Sequence, residues 1–410
     1  EEPRDGMVIH TNSGRIRKYR KLIVELLLAA HCRDCTTCVK SGECVLQELA
    51  HRLGVENVRF QNTREQRELD LSSPSLVRDP NKCILCGNCV RACEELQSIG
   101  ALGFAFRGTE AMVMPAFDRK ISTTDCVNCG QCRVFCPTGA ISIRTNMDEV
   151  WEALADPNVR VVAQVAPAVR VAVGDHYGLT KGRSVMGKIV NALHLMGFDE
   201  VYDTTFSADM TIMEESAEFL NRLKTGEKLP LLTSCCPSWS MMAKKFFPTM
   251  IDNISQELTP MVATARKVKQ DDPDAKVVFI GPCASKKLEA MRRTVRSDVD
   301  FVLTFEELDA MFDAREIEPA SFEDEGSLHD ATAAGRGYAV AGGVAGAIEA
   351  CLKEYYPEVP VHIEHAESLA ECKKMLALAK AGKLKGCMIE GMACPGGCMG
   401  GAGTNVPIAK

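Results

Sequence analysis

The sequence predicts an α/β domain preceded by small, cysteine-rich α+β modules, and three observations carry that expectation. Twelve of the twenty cysteines fall before residue 140. A cysteine quartet is repeated within that stretch, and beyond Arg144 short apolar runs alternate with amphipathic helical patterns. A chain of 410 residues with 46% apolar content has room for two or three domains. Its formal charge of −7 offers no broad basic face, so nucleic acid is not an expected partner. The longest apolar stretch, Leu22 to Ala30, contains Glu25 and is about half of what a membrane span needs. The chain opens at Glu1 without a methionine, which leaves room for a leader or a further domain ahead of it.

Taken in order, Asn12 and Ser13 stand where a helix cap is wanted, ahead of the helical pattern RIRKYRKLIVELLLAA. That helix delivers His31 and the first cysteines at its end. His31-x3-Cys35-x2-Cys38-x5-Cys44 presents one imidazole and three thiolates, a donor set that suits zinc or an iron-sulfur cluster. Cys32 lies outside that spacing and reads as a partly buried thiol. A loop-rich stretch near residues 60 to 80 separates this region from the next.

Cys83-x2-Cys86-x2-Cys89-x3-Cys93 then recurs as Cys126-x2-Cys129-x2-Cys132-x3-Cys136, closed by Pro137. Two-residue loops let three thiolates and their backbone N–H groups wrap three corners of a cubane. Disulfides are a weak alternative at this chain length. The repeat resembles the two-cluster bacterial ferredoxins. That resemblance implies one [4Fe-4S] cluster on Cys83, Cys86, Cys89 and Cys136 and a second on Cys126, Cys129, Cys132 and Cys93. The upstream set resembles the one-histidine, three-cysteine module of large hydrogenases and of the electron-input arm of respiratory NADH dehydrogenases, which implies a third [4Fe-4S] cluster.

Beyond Arg144, the runs VRVVAQVAP, KLPLLTSCCP, AKVVFIGPC and KGCMIEGMACPGGC each pass from apolar strand into a small-residue loop. Chemistry in open α/β sheets collects at such strand ends. Three of these loops carry cysteine motifs: Thr233-Ser-Cys-Cys-Pro-Ser-Trp239, Gly281-Pro-Cys-Ala-Ser-Lys-Lys-Leu-Glu289, and Glu390-Gly-Met-Ala-Cys-Pro-Gly-Gly-Cys398. Together they resemble the three signature segments of the [FeFe]-hydrogenases, and the likeness extends over the chain from His31.

The resemblance implies a catalytic domain at 148–410, built as two lobes of mainly parallel sheet flanked by helices. It follows a one-histidine, three-cysteine module at 1–75 and a ferredoxin-like module at 76–147. Cys236, Cys283, Cys394 and Cys398 would hold the active-site cubane. Cys398 would also bridge to a two-iron unit with carbon monoxide, cyanide and azadithiolate, completing the H-cluster. Lys286 is the candidate cation for cyanide, assisted by backbone near Ala166 and Pro167, and Met392 would sheath the two-iron unit. Cys235 matches the family's relay thiol, and Glu215, Ser255, Glu218 and Arg222 match the rest of its proton path. Residues 215, 218 and 222 also share a helical face. Taken singly, Lys286 reads as a solvated lysine, the helical charges as a solvated stripe, and Met392 as ordinary core.

The chain also departs from the family pattern. Gly281 stands where a methionine side chain is usual, which predicts a looser pocket or a shifted cyanide environment. Ala168 replaces a serine of some relatives, and the third motif ends Met399-Gly-Gly-Ala-Gly-Thr404. Cys351, Cys372 and Cys387 read as structural thiols. The leading functional expectation is reversible oxidation of hydrogen and reduction of protons, with ferredoxin or a flavin-containing NAD(P)H-linked subunit as electron partner and dedicated maturation enzymes for the two-iron unit. A hydrogen or redox sensor on the same scaffold is the alternative, and a cluster-carrying assembly protein a third reading. Cytoplasm is the expected location, with periplasm open because the beginning is unknown.

Overall fold

The structure is a computed structural model that describes residues 2–62, 64–174, 177, 185–292, 296–323, 328 and 331–404. The first helix, Gly14–Ala29, starts where Ser13 accepts a hydrogen bond from the Ile16 amide at 3.3 Å. Asn12 instead takes the Arg17 guanidinium at 3.2 Å, so Ser13 alone is the cap. The helix Val45–Arg52 packs against it through Leu46. Glu25, buried on the first helix, is neutralised by Arg59 at 2.7 Å from the loop-rich stretch.

Four three-residue strands follow: β1 (Leu76–Arg78), β2 (Gly103–Ala105), β3 (Met112–Met114) and β4 (Ile141–Ile143). They form two antiparallel pairs, β1 with β4 and β2 with β3. Each cysteine run of the repeat leads into a four-residue helix, Asn88–Arg91 or Gln131–Val134, entered through a left-handed glycine, Gly87 or Gly130. The apolar core here is small and shares its space with the thiols of Cys83, Cys126, Cys132 and Cys136.

The remainder forms two lobes around parallel sheets. The first sheet contains β5 (Val161–Val165) and β6 (Glu200–Asp203), and the second begins with β7 (Leu231–Leu232). Next come β8 (Lys276–Ile280) and β9 (Phe301–Leu303) of the first sheet, then β10 (His362–Glu367) and β11 (Cys387–Met392) of the second. The orders are β6-β5-β8-β9 and β10-β11-β7, with every pairing parallel. Central strands β5 and β11 are buried along their whole length, as expected of parallel strands covered by helices on both faces. All four apolar runs read from the sequence are strands, and their C-terminal ends meet between the lobes.

The repeat docks on these lobes through its second cysteine loop. Lys245 donates to the carbonyls of Thr124 and Cys126 at 2.7 and 2.8 Å, and Ser238 donates to Val127 at 3.1 Å. Gln131 donates to the Gly400 carbonyl at 2.9 Å, and Arg133 pairs with Glu306. At Gly130 the backbone has φ +76° and a Cβ would stand 2.5 Å from that of Ala402, so only glycine permits this approach.

Candidate active site

The helix ending at Ala29 brings His31 to a small void that Cys35, Cys38 and Cys44 also line. The chain passes so close that a Cβ on Gly139 would meet the Cys38 sulfur at 2.6 Å. His31 Nε2 is buried with no partner among the described residues, and the Arg33 amide donates to Nδ1 at 3.0 Å. Ligation through Nε2 would require the proton on Nδ1, so that amide contact would open on metal binding. Cys32 lines a different void.

Cys83, Cys86, Cys89 and Cys136 line a second void, so the last cysteine of one quartet has crossed to the other. Cys93, Cys126 and Cys129 pack against one apolar cluster, which brings Cys93 to the second quartet. Cys93 and Cys126 sulfurs accept backbone N–H bonds from Ala101 and Asn128 at 3.2 and 3.4 Å. Among the described residues no three His, Cys, Asp or Glu side chains draw together as they would around a single ion. The cysteines instead ring open spaces. Burial pushes the Cys89 thiol up to about 12 and that of Cys126 up to about 11. Such thiols become thiolates when a cationic cluster compensates them.

The C-terminal ends of both sheets enclose a largely apolar cavity of about 780 Å³ counted to its mouth. Ala166 and Pro167 follow β5, Cys235 and Cys236 follow β7, Cys283 and Lys286 follow β8, and Cys394 and Cys398 follow β11. All of these line the cavity, as does Met392. Burial raises Cys283 to about 11 and Cys394 well above the ordinary thiol range. Four half-buried thiols around one wall, with an apolar hollow beyond them, fit a cubane carrying a second, soft inorganic unit. Cys129 of the repeat lies near enough to influence Cys394, so the two cysteine sets adjoin.

Lys286 is not a solvated lysine. Its ammonium donates to Glu289 at 2.6 Å and to the Cys235 carbonyl at 3.3 Å, while Thr259 fixes the other Glu289 oxygen at 2.9 Å. Burial opposes its charge, yet the Glu289 carboxylate outweighs that and its pKa sits above the usual lysine value. The result is a fixed cation at the cavity wall.

The helical charges are not a solvated stripe either. Glu215, Glu218 and Arg222 lie on one face of the helix Thr204–Thr225, and Glu215 and Arg222 are buried. One Glu215 oxygen accepts from the Ser234 amide and hydroxyl, both at 3.3 Å, while the other is buried and has no partner among the described residues. Burial raises Glu215 to about 7. Ser255 donates to Glu218 at 2.7 Å, and Arg222 clamps Glu218 at 2.5 Å while donating to the carbonyls of Lys228, Asn253 and Ile254. Arg222 therefore anchors Glu218. Buried acid, hydroxyl and partly exposed acid run in sequence from beside Cys235 outward.

One expectation is overturned. Gly281 does not leave a looser pocket, because the Phe279 ring fills the space: a Cβ at 281 would stand 2.8 Å from Phe279 and 2.9 Å from Ala166. Residues two apart on a strand point to one face, so the Phe-Ile-Gly order held this signal. Sequence reasoning also missed Ser234, which holds Glu215, and Tyr338, which lines the cavity from a distant segment with no motif of its own. The altered third motif docks tightly, with Gly403 donating to the Pro282 carbonyl at 2.9 Å. Residues after Thr404 lie outside the described residues.

Comparison with known proteins agrees with this geometry. Residues 159–402 match the family described as iron only hydrogenase large subunit, C-terminal domain. Residues 20–59 match the NADH-ubiquinone oxidoreductase-G iron-sulfur binding region, and residues 76–99 and 119–142 match 4Fe-4S binding domains. The NADP-reducing hydrogenase subunit HndD of Solidesulfovibrio fructosivorans is 39% identical, over 97% of this chain and 76% of its own. Iron hydrogenase 1 of Clostridium pasteurianum is 31% identical, over 97% and 77%. Among solved structures, a variant of [FeFe]-hydrogenase HydA1 from Chlamydomonas reinhardtii is 27% identical with a TM-score of 0.54, covering 64% of this chain and 85% of that one. Relatives along nearly the whole chain are hydrogenases, which favours an enzyme over a sensor. The chain belongs to the [FeFe]-hydrogenases, oxidoreductases acting on hydrogen, with iron-sulfur domains ahead of an H-cluster domain.

Proposed function

We propose that the H-cluster cubane is held by Cys236, Cys283, Cys394 and Cys398, and that electrons pass to or from it through three N-terminal [4Fe-4S] clusters. The observation that carries this is the convergence of four cysteines from three distant segments on one cavity, with the buried carboxylate of Glu215 behind it. When bound, the two-iron unit supplies the Lewis-acidic, redox-active iron that splits or forms hydrogen. The protein's own part is to fix that unit and move protons. Lys286 presents a cation for cyanide, Ala166 and Pro167 present backbone, and Met392 and Phe279 exclude water. Cys235 carries the proton between cavity and Glu215, and Ser255 and Glu218 continue the path outward with Arg222 holding Glu218 in place.

For electrons, Cys129 adjoins the Cys236 and Cys394 side of the cavity, so the cluster on Cys93, Cys126, Cys129 and Cys132 is the donor to the active site. The cluster on Cys83, Cys86, Cys89 and Cys136 precedes it. Val45 donates to the Pro137 carbonyl at 3.1 Å, joining the His31 module to that second cluster. We take 1–75, 76–147 and 148–410 as the corresponding units. The likeness to a subunit named for NADP reduction favours a flavin-containing NAD(P)H-linked partner, with ferredoxin as the other electron source; maturation enzymes install the two-iron unit. No helix among the described residues is long and apolar enough to cross a membrane.

The test is hydrogen evolution from a reduced viologen by anaerobically matured protein, with infrared spectra of the same sample. Evolution together with carbonyl and cyanide bands supports the reading. Intact bands without evolution would move the chain to the sensor, and absent bands after maturation would reject the H-cluster assignment.

A further inference from the structure

Thr259 stands immediately before the helix Pro260–Asp271, in the position from which a side chain caps a helix, yet its hydroxyl makes no cap bond. A threonine there ordinarily accepts from an amide of the first turn. This one instead donates to Glu289 Oε1 at 2.9 Å, and both residues are buried. Glu289 Oε2 takes the Lys286 ammonium at 2.6 Å, and the same ammonium donates to the Cys235 carbonyl at 3.3 Å. An ammonium has three N–H donors, so one is left without an acceptor among the described residues, on a side chain that lines the cavity. The two bonds already made set where that third N–H points. A glutamate carboxylate turns readily about its last torsion, so the stronger of those bonds keeps its direction only while the other oxygen is held. Among the described residues Thr259 is the side chain that holds it.

We propose that Thr259 is a positioning residue for the active site: its hydroxyl fixes the Glu289 carboxylate and thereby aims the free N–H of Lys286 at cyanide on the bound two-iron unit. The hydroxyl is withheld from its own helix and spent on the cation of another segment. This inference rests on the reading of Lys286 as the cation for cyanide.

Thr259→Val keeps the shape and removes the hydroxyl, and no helix cap is lost with it. The first readout is the infrared spectrum of anaerobically matured protein. The cyanide bands shift in Thr259→Val and stay in place in Thr259→Ser, which retains the hydroxyl. Hydrogen evolution by Thr259→Val falls about fivefold, the rate equivalent of ~1 kcal/mol. If the valine chain does not fold, Thr259→Ala removes the same hydroxyl and is read in the same way. Action through the cation also requires that Thr259→Val add no shift in a Lys286→Met chain. Unmoved cyanide bands without the hydroxyl would overturn the proposal, as would an equal shift in Thr259→Ser. A further shift in the Lys286→Met chain would overturn it too, tracing the effect to Pro260 and Met261 of the cavity wall. Cyanide bands that Lys286→Met itself leaves in place would instead reject the cation reading, an outcome the single variants at Thr259 keep separate.

Discussion

The regions before and after Arg144 gather cysteines in opposite ways. Before it, most cysteines fall in tight sequence runs, strands are three residues long, and the cores comprise few buried residues wrapped around the thiols. After it, Cys236, Cys283 and Cys394 come from separate strand ends, held by two sheets with extensive cores of their own. The first region buries little apolar surface of its own, so its fold is expected to depend on bound clusters, whereas the second builds its pocket from packing.

The largest effect that tests this contrast is removal of iron by an anaerobic chelator. Hydrogen exchange should then accelerate by orders of magnitude in the segment 76–143, while β5, β8 and β11 keep their protection. Simultaneous loss of protection in both would break the comparison. Next, Cys235→Ala should lower hydrogen evolution ~10²–10⁴-fold, the range for a lost proton-transfer group, with iron content unchanged. Cys83→Ala should by contrast lower iron content. Retained activity in Cys235→Ala would show that another group carries the proton.

Glu218→Gln should slow turnover about tenfold or more while leaving carbonyl and cyanide bands in place; moved bands would mean that this acid shapes the pocket as well. Smaller again is Gly281→Ala, whose methyl meets Phe279 and Ala166 below 3 Å. It should cost ~1–3 kcal/mol by overpacking, read as a lower Tm, and Phe279→Ala in the same chain should relieve it.

A pH effect is the subtlest. Burial lifts Glu215 from 4.5 to about 7, with Glu218, Ser234, Ser255, Cys235 and Tyr338 around it. Between those values the folded chain keeps a proton that the unfolded chain has released. Glu215 therefore gives stability that is fully present below 4.5 and is lost as pH rises through 7. Glu215→Gln should remove this slope, gaining on the parent chain from about pH 5 to about pH 8 in thermal unfolding. Parallel curves would place the Glu215 pKa near its ordinary value.

Much of the molecule was legible because cysteine spacing and strand-to-loop transitions are local signals. The helix cap at Ser13 follows from a polar residue ahead of a helical pattern, the four apolar strands from short apolar runs ending in small-residue loops, and the shared face of Glu215, Glu218 and Arg222 from the 3.6-residue period. What escaped was packing between segments distant in sequence. At Gly281 the space is closed in part by Ala166 from another strand end, and Ser234 reaches Glu215 across 19 residues.

By itself the sequence determined which residues are able to bind iron and that an α/β domain follows the cysteine-rich modules, since thiolate spacing and hydropathy period are properties of the chain. Only the tertiary structure decided that Lys286 is a half-buried, clamped cation and that Tyr338 shares a cavity with Cys235. Those outcomes depend on where strand ends and helices meet, and burial acts on charge and hydrogen bonding only once the segments have met.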